Sequence, residues 1–434
     1  MKFGTDGVRG RFGTELSLDY VARLGHAAAA VLGGGSWLIA RDTRESGPAL
    51  EEAFASGLVA GGASPLSLGV FPTPGLAAES QRLGRPAAMI TASHNPYHDN
   101  GVKVFAAGGL KLTDDVERSI EVAIPPGPVQ VAAPVRCDQA DAGETYCARL
   151  LALCAPQGLA GLRVVLDCAN GAMSHVAPEV VRAAGAGVVV IHASPNGRNI
   201  NDRCGATAPR SLAAAVVAQG ADIGLAFDGD GDRVIAVDHL GRVIDGDRLI
   251  ALAALHLMEL GELIDNTVVV TVMSNLGFHR AMESAGITVV ATAVGDRYVL
   301  EALDAGGWSI GGEQSGHIIY RRHATTGDGL LAGLRLAQSV NQQHRRLADL
   351  AAEVMTSYPQ VLLNVRVAHR HPRAADELSA EIGAAERGLA GDGRVLIRAS
   401  GTEPLIRVMV EAATHELAQA TAEQLAEVVH ARFG

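Results

Sequence analysis

The sequence predicts an α/β protein: three similar α/β/α domains with mostly parallel mixed sheets, followed by a smaller C-terminal α+β domain. Three observations carry this expectation. Short apolar runs alternate with helical patterns, as in βαβ units. The same order of strand, helix, strand and strand occurs three times at domain-sized spacing. After Gly327-Asp328-Gly329 the pattern changes to two helices and then to longer strands. The chain has 434 residues, too many for one ordinary core.

Taken in order, the first unit has strands at Trp37 to Ala40, Leu66 to Val70 and Ala87 to Thr91, with a helix from Leu50 to Val59. A further strand, Val102 to Phe105, follows a polar loop. The second unit has strands at Leu162 to Leu166, Val188 to Ile191 and Ile223 to Phe227, with a helix from Ala177 to Ala184. The third has strands at Thr267 to Val272, Ile287 to Ala291 and Trp308 to Ile310, with a helix from Phe278 to Ser284. Helices at Leu330 to Val340 and Leu347 to Met355 close it. The last domain has strands at Val361 to Val367, Gly393 to Arg398 and Leu405 to Ala412, with helices at Ala374 to Glu386 and Leu417 to Phe433. The expected domains are 1–138, 139–240, 241–355 and 356–434, with Pro125 to Gly143 as the first linker.

Composition narrows the function. Hydrophobic residues make up 48% of the chain but aromatic ones only 4%, so small apolar side chains dominate, which suits tight helix-on-sheet layers. The net charge of −11 argues against a general nucleic-acid binder, which needs a broad basic face. It leaves room for a small anion held by a local basic cluster. Met1-Lys2-Phe3-Gly4 opens on neither a signal nor a transit peptide, and Ala27 to Leu32 is too short to span a membrane. The five cysteines include no C-x-x-C pair, so the expectation is reduced thiols in a cytoplasmic protein.

The chemistry sits in strand-end loops, where open α/β sheets bind ligands. In the first unit that loop is Ser93-His94-Asn95-Pro96. Its serine is either a turn residue bonding to nearby backbone or a covalent phosphoryl carrier. Lys103 is the one charge on the strand that follows. The N-terminal Phe3-Gly4-Thr5-Asp6-Gly7-Val8-Arg9-Gly10 could let backbone and Arg9 approach an anion, or be a simple glycine-rich turn.

In the second unit the loop is Asp228-Gly229-Asp230-Gly231-Asp232-Arg233. Alternating carboxylates can converge on one hard cation. An EF-hand needs Gly at the sixth position and Glu at the twelfth, where this chain has Arg233 and His239. Few protein ligands plus a phosphoryl oxygen favour Mg²⁺ over Ca²⁺. In the third unit, Gly311-Gly312-Glu313-Gln314-Ser315-Gly316-His317 offers Glu313 and Ser315 to vicinal sugar hydroxyls and His317 as a proton shuttle. A polar turn with a structural histidine fits as well. In the last domain Arg398-Ala399-Ser400-Gly401-Thr402-Glu403-Pro404, with Arg407 beyond, has the donors of a phosphate cradle. Jointly these loops describe metal-assisted phosphoryl transfer on a phosphorylated sugar.

The motifs FGTDGVRG (3–10), TASHNPYHDNGVK (91–103), DGDGDR (228–233), GDRYV (295–299), GGEQSGH (311–317), TTGDG (325–329) and RASGTEPLIRVM (398–409) resemble those of the α-D-phosphohexomutase family, over essentially the whole chain. The first motif and the GGEQSGHII…TTGDG run point to the branch that acts on glucosamine phosphates. The departures, at His98 and Ala399, unsettle no role.

The resemblance implies four domains around a central cleft and a serine phosphorylated in the active enzyme, Ser93 by motif match. Asp228, Asp230 and Asp232 would hold one Mg²⁺, completed by the Ser93 phosphate. Glu313 and Ser315 would read sugar hydroxyls. Arg398, Ser400, Gly401, Thr402 and Arg407 would bind the non-reacting phosphate. Arg9, Lys103 and Arg233 would surround the transferring group, and Lys103 or His317 would handle protons. The implied reaction interconverts glucosamine 6-phosphate and glucosamine 1-phosphate, for amino-sugar nucleotide and cell-wall precursor synthesis. Glucosamine or glucose 1,6-bisphosphate would serve as intermediate or primer. The implied partner is a small sugar phosphate, with neither nucleic acid nor membrane; a homodimer is compatible with it. The rival readings are a mutase of mannose or glucose phosphates, a metal-dependent phosphatase, and a non-catalytic sugar-phosphate binder. The last would be expected to lack Ser93 or an aspartate of the triad, and all four are present.

Overall fold

A computed structural model describes residues 2–4, 6–129, 138–139, 142–400 and 403–434, the pair 138–139 as backbone alone. The chain forms two compact units, residues 1–273 with 287–354, and residues 274–286 with 355–434.

The first unit opens with an α/β domain. Its elements are β1 (Val8–Arg11), α1 (Leu18–Leu32), β2 (Ser36–Arg41), α2 (Gly47–Ala60), β3 (Ser64–Val70), α3 (Thr73–Leu83), β4 (Ala87–Ile90), β5 (Asp99–Ala106), β6 (Leu110–Lys111), α4 (Asp114–Ala123) and β7 (Asp138–Gln139). The strand order is β1-β5-β4-β2-β3-β7, with β6 on β5. β4, β2, β3 and β7 run parallel, and β5 is antiparallel to β4 and β1. Every residue of β4 is buried, because a central strand covered on both faces reads as a continuous apolar run. The small-residue composition explains the packing of α1 on α2. A Cβ on Gly57 would stand 1.8 Å from the Ala22 carbonyl oxygen, so only glycine allows this approach.

Two expectations are corrected here. Asp99-Asn100-Gly101 is strand rather than loop, paired with Arg11, Gly10 and Arg9 of β1. The expected linker is partly structured too, since Asp138–Gln139 adds to the sheet beside β3. Residues 130–137 and 140–141 of that linker lie outside the described residues.

The second domain holds α5 (Gly143–Ala152), β8 (Arg163–Asp167), α6 (Met173–Ala183), β9 (Gly187–Ile191), α7 (Arg210–Gln219), β10 (Ile223–Phe227), β11 (Val234–Asp238) and β12 (Val243–Ile244). Its order is β12-β11-β10-β8-β9, parallel from β10 to β9 and antiparallel beyond. The third holds α8 (Gly246–Glu259), β13 (Thr267–Thr271), then α9 (Leu276–Ser284), which belongs to the other unit, β14 (Thr288–Thr292), α10 (Asp296–Gly306), β15 (Ile310–Gly312), β16 (Ile318–Tyr320), α11 (Gly329–Gln343) and α12 (Leu347–Val354). Its order is β14-β13-β15-β16, with only β16 antiparallel. β15 starts at Ile310, not at Trp308, and takes in Gly311 and Gly312. Both glycines are needed there: a Cβ on Gly311 would stand 2.6 Å from the Val269 carbonyl oxygen, and one on Gly312 2.4 Å from that of His317.

The second unit contains β17 (Gln360–Arg366), α13 (Ala374–Glu377), α14 (Ser379–Gly388), β18 (Gly393–Ala399), β19 (Leu405–Ala412) and α15 (His415–Phe433). Its sheet is antiparallel in the order β17-β19-β18. The single helix expected over Ala374 to Glu386 is broken at Leu378, whose φ/ψ of −104° and 13° is not helical. α9 joins this unit through buried Glu411, which accepts the Leu276 amide at 2.9 Å and Asn275 Nδ2 at 3.1 Å. Among the described residues no helix is long and apolar enough to cross a membrane.

Candidate active site

The Ser93 loop follows directly from β4. Ser93 sits in the left-handed region at φ 51°, a conformation that costs a non-glycine residue about 1–3 kcal/mol. Its surroundings over-determine it. Arg44, wholly buried, donates from Nη2 to the carbonyls of Ser93 at 3.0 Å and Asn95 at 2.8 Å. Its Nη1 donates to Asp99 O at 2.9 Å and also to Pro96 O. Arg44 is itself held by Asp42 at 2.9 Å, and Asp42 accepts the Thr91 hydroxyl at 2.7 Å. From the second domain, Asn201 Nδ2 donates to Ser93 O at 2.9 Å and Asn95 O at 3.1 Å. With the carbonyls tied back, the Ser93 hydroxyl points the other way and donates to Asp228 Oδ2 at 2.6 Å.

Asp228, Asp230 and Asp232 all lie on the turn between β10 and β11 and are all buried. Each offers an oxygen within 4.8 Å of the others. Burial, then repulsion from Asp232 and Asp230, pushes the Asp228 carboxyl well above its usual range. Asp230 Oδ1 and Asp232 Oδ1 are buried with no hydrogen-bond partner. Three oxygen donors, two of them orphaned, fit a small hard cation such as Mg²⁺. Lys103 offsets part of this charge, with Nζ at 2.8 Å from both Asp230 Oδ2 and Asp232 Oδ2 and 2.9 Å from Asp6 Oδ2. Burial alone would lower its pKa, but Asp230, Asp232 and Asp6 hold it well above the ordinary value. Lys103 is thus a fixed cation in this arrangement. Thr73 Oγ1, from the start of α3, donates to Asp230 Oδ2 at 2.6 Å.

A cleft of about 400 Å³ opens in front of these groups. Lys2, Arg9 and Arg233 supply its positive charge, and Glu313, Asp296, His94 and His317 also line it. His94 Nδ1 is 3.3 Å from Ser93 Oγ, and burial, then Arg233 and Arg9, push its pKa down to about 4. It is therefore neutral at pH 7. Glu313 Oε1 accepts the Gly295 amide at 3.2 Å, while Ser315 donates to Oε2 at 3.3 Å. His317 is packed between Asp232 Oδ1 at 3.7 Å and Asp296 Oδ2 at 3.4 Å. Burial opposes its charge, but Asp296 and Asp232 outweigh that and raise its pKa. The Gly327 amide donates to Nε2 at 3.0 Å, so the neutral ring carries its proton on Nδ1, and charging it must break that bond.

In the other unit, Arg398 and Arg407 are register partners on β18 and β19. Neither is paired with a carboxylate among the described residues, and burial, then Arg407, lowers the Arg398 pKa. Buried Ser400 bonds through its amide to Leu405 O at 2.8 Å and accepts the Glu403 amide at 3.2 Å. Gly401 and Thr402 lie outside the described residues.

Four sequence models of one family match in order. The alpha/beta/alpha domains I, II and III of phosphoglucomutase/phosphomannomutase match residues 1–126, 144–241 and 245–358, and the C-terminal domain matches 362–428. The chain belongs to the phosphoglucomutase/phosphomannomutase family. The phosphoglucosamine mutase of Frankia alni is 52% identical over 447 residues, covering 99% of this chain and 98% of that one. That of Rhodococcus jostii is 51% identical over 441 residues, covering 98% of each. Among solved structures, a phosphoglucomutase/phosphomannomutase family protein from Burkholderia thailandensis matches with TM-score 0.81 and 23% identity, over 98% of this chain and 96% of that one. Aspergillus fumigatus N-acetylphosphoglucosamine mutase, solved with GlcNAc-6P and magnesium, matches with TM-score 0.72 and 19% identity, over 100% and 96%. These two likenesses are of fold.

For this phosphoglucomutase/phosphomannomutase family member, sequence reasoning singled out most of the charged groups at the cleft and the carboxylate turn, and missed two cleft-lining aspartates and the residues that brace the Ser93 loop and the triad. Ser93, Lys103, Arg9, Arg233, His317, Glu313, Ser315 and the triad all come together in the first unit. Arg44, Asn201, Thr73, Asp6 and Asp296 were not anticipated. The one signal for Arg44 was its place in Arg41-Asp42-Thr43-Arg44, the loop ending β2. Nothing local marked Asn201, because its role appears only when a second domain meets the Ser93 loop.

Proposed function

We propose that this chain interconverts glucosamine 6-phosphate and glucosamine 1-phosphate through a phosphoserine at Ser93 and a glucosamine 1,6-bisphosphate intermediate. The observation that carries the chemistry is the contact of Ser93 Oγ with the carboxylate triad. The choice of sugar is supported by about half-identity, over nearly the full length, to proteins named phosphoglucosamine mutase.

Asp228, Asp230 and Asp232, with an oxygen of phosphorylated Ser93, would hold one Mg²⁺ per chain, which offsets charge on the moving phosphoryl group. In the forward half-reaction a sugar hydroxyl attacks the phosphorus on Ser93. A new P–O bond forms to the sugar and the Ser93 P–O bond breaks. The hydroxyl proton passes to a base at the cleft, His317 once its Nε2 leaves the Gly327 amide, the Ser93 oxygen takes up a proton as it departs, and Lys103, Arg9 and Arg233 balance the phosphoryl charge. The second half-reaction returns the other phosphate of the bisphosphate to Ser93, and the same groups act in reverse. Glu313 and Ser315 hold the sugar hydroxyls. Arg398, Ser400, Gly401, Thr402 and Arg407 hold the phosphate that is not transferred, since two neighbouring guanidinium groups with no carboxylate partner among the described residues accept either end of the sugar.

The test is a substrate panel on protein primed with glucose 1,6-bisphosphate and Mg²⁺, combined with peptide mapping for phosphate on Ser93. Glucosamine 6-phosphate is expected to turn over faster than mannose or glucose 6-phosphate. Equal or better turnover of mannose 6-phosphate would overturn the choice of sugar, and release of free phosphate in place of isomer would make the protein a phosphatase.

A further inference from the structure

A second group of metal-type donors lies in the second domain, apart from the carboxylate triad. Asp167 ends β8, His192 follows the end of the parallel neighbour β9, and Cys204 lies on the loop that leads into α7. Each offers one donor atom within 4.8 Å of the others. Asp167 and Cys204 are fully buried, while the His192 side chain is 31% exposed. His192 Nδ1 stands 3.1 Å from Asp167 Oδ2, yet it lacks the alignment of a hydrogen bond and has no other partner. The nitrogen is therefore buried beside the carboxylate and unsatisfied, while the carboxylate itself accepts the Ala169 amide at Oδ1 (3.0 Å) and the Gly205 amide at Oδ2 (2.9 Å). Among the described residues Cys204 Sγ has a single 4.0 Å contact, from Asn170 Nδ2.

The backbone around the group is held in an unusual state. Ala169, Asn170, His192, Asn201 and Arg203 have φ of 54°, 49°, 48°, 57° and 55°. Left-handed non-glycine residues concentrate at ligand clamps; here hydrogen bonds from Ala169 N to Asp167 Oδ1 at 3.0 Å, from Asn170 N to His192 O at 2.6 Å and from Asn201 N to Ala169 O at 2.9 Å hold part of the arrangement. A hydrolytic Cys-His-Asp reading fails, because the thiol is inaccessible and burial, then Asp167 and Asp202, push its pKa up to about 12. A bound cation reverses that logic, since a coordinating thiol gives up its proton.

We propose that Asp167, His192 and Cys204 bind a zinc ion that fastens three loops of the second domain together. Thiolate, imidazole and carboxylate form a donor set suited to Zn²⁺ and foreign to Mg²⁺ or Ca²⁺. The half-exposed side at His192 leaves the fourth position to water. Binding replaces the thiol proton by the metal and releases that proton to solvent. The site has a structural consequence beside the reacting centre. Asn201, on the same loop as Cys204, is the residue that holds the carbonyls of Ser93 and Asn95, and the amide of Ala206 bonds to Phe227 O at 2.9 Å, next to Asp228.

The test is elemental analysis of the full chain, purified without chelator and dialysed against metal-free buffer, with Zn²⁺ and Co²⁺ as probes. One zinc per chain is expected, and a cobalt-loaded sample should show thiolate-to-cobalt charge-transfer absorption. His192→Ala and Cys204→Ser should each weaken zinc binding at least about tenfold, and Cys204→Ser should abolish the absorption. His192→Ala changes a half-exposed side chain, so it keeps the test open if the cysteine variant does not fold. Asp230→Asn should keep its zinc. Protein that takes up no zinc overturns the proposal and leaves Asp167–His192 as a plain loop tie. Zinc lost in Asp230→Asn but kept in Cys204→Ser also overturns it, by placing the ion on the triad.

Discussion

Ser93 Oγ donates a 2.6 Å hydrogen bond to Asp228 Oδ2, across 135 residues of chain. The serine comes from one α/β domain and the carboxylate from the next, each at the end of a central strand. If Ser93 carries the phosphoryl group, Ser93→Ala should fold normally and lose at least about a thousandfold in kcat. Circular dichroism and a coupled mutase assay check both halves. A variant of near-parental rate would remove Ser93 from the mechanism.

Arg44 decides whether that serine is held in place. It is fully buried, and its guanidinium is divided among Asp42 and four loop carbonyls. Arg44→Ala leaves a buried Asp42 without its partner and those carbonyls unsatisfied, so urea unfolding should show a loss of about 3–5 kcal/mol. Arg44→Lys keeps the charge without the planar fork, and should recover part of the stability but less of the activity. Unfolding curves that superimpose on the parent would show the clamp to be incidental.

The carboxylate triad is expected to need its cation for stability as well as for turnover. Titrating Mg²⁺ into chelator-treated protein should raise the melting temperature, because the ion binds only the folded arrangement and removes the repulsion on Asp228. Asp230→Asn should flatten that response. A melting temperature indifferent to Mg²⁺ in the parent would argue against a metal at this turn.

Asp328 gives a pH dependence that can be isolated. It caps α11 by accepting the Leu331 amide at 2.9 Å, and it accepts the Tyr146 hydroxyl at 3.0 Å. Burial nevertheless raises its pKa to about 6 against an ordinary value of 3.8. The folded state therefore keeps a proton that the unfolded chain releases, so this group's contribution falls as pH rises from about 4 to 6 and is level above that. The difference is worth about 3 kcal/mol. Asp328→Asn keeps the cap without the ionisation. Its stability relative to the parent should improve by that order between pH 4 and pH 7, measured by urea unfolding. Parallel curves for the two proteins would refute the assignment.

Arg407 stands opposite Arg398, and among the described residues neither is paired with a carboxylate. Arg407→Ala should raise KM for glucosamine 6-phosphate about tenfold or more, since a charge-assisted contact to phosphate is removed. Unchanged KM would place the phosphate elsewhere.

Local features were legible in the sequence because their signals are local. Alternating strands and helices mark the parallel sheets. The Asp228-Gly229-Asp230-Gly231-Asp232 turn places three carboxylates at alternate positions within five residues, so their proximity is a local property. Apolar runs such as Ala87 to Ile90 mark strands covered on both faces. The strand at Asp99-Asn100-Gly101 escaped notice because its polar residues pair with β1, a partner some ninety residues away in sequence.

The amino-acid sequence by itself determined the α/β architecture, the strand-end loops and the chemical groups they carry. Only the tertiary structure decided which of those groups meet. It set Ser93 against Asp228, drew Lys103 into the triad, placed Arg44 and Asn201 behind the serine loop, and assigned α9 to the C-terminal unit. The physical reason is that hydropathy period and turn chemistry act over a few residues. The pairing of buried charges and carbonyls is satisfied instead by whichever distant segment the packed core brings within hydrogen-bonding reach.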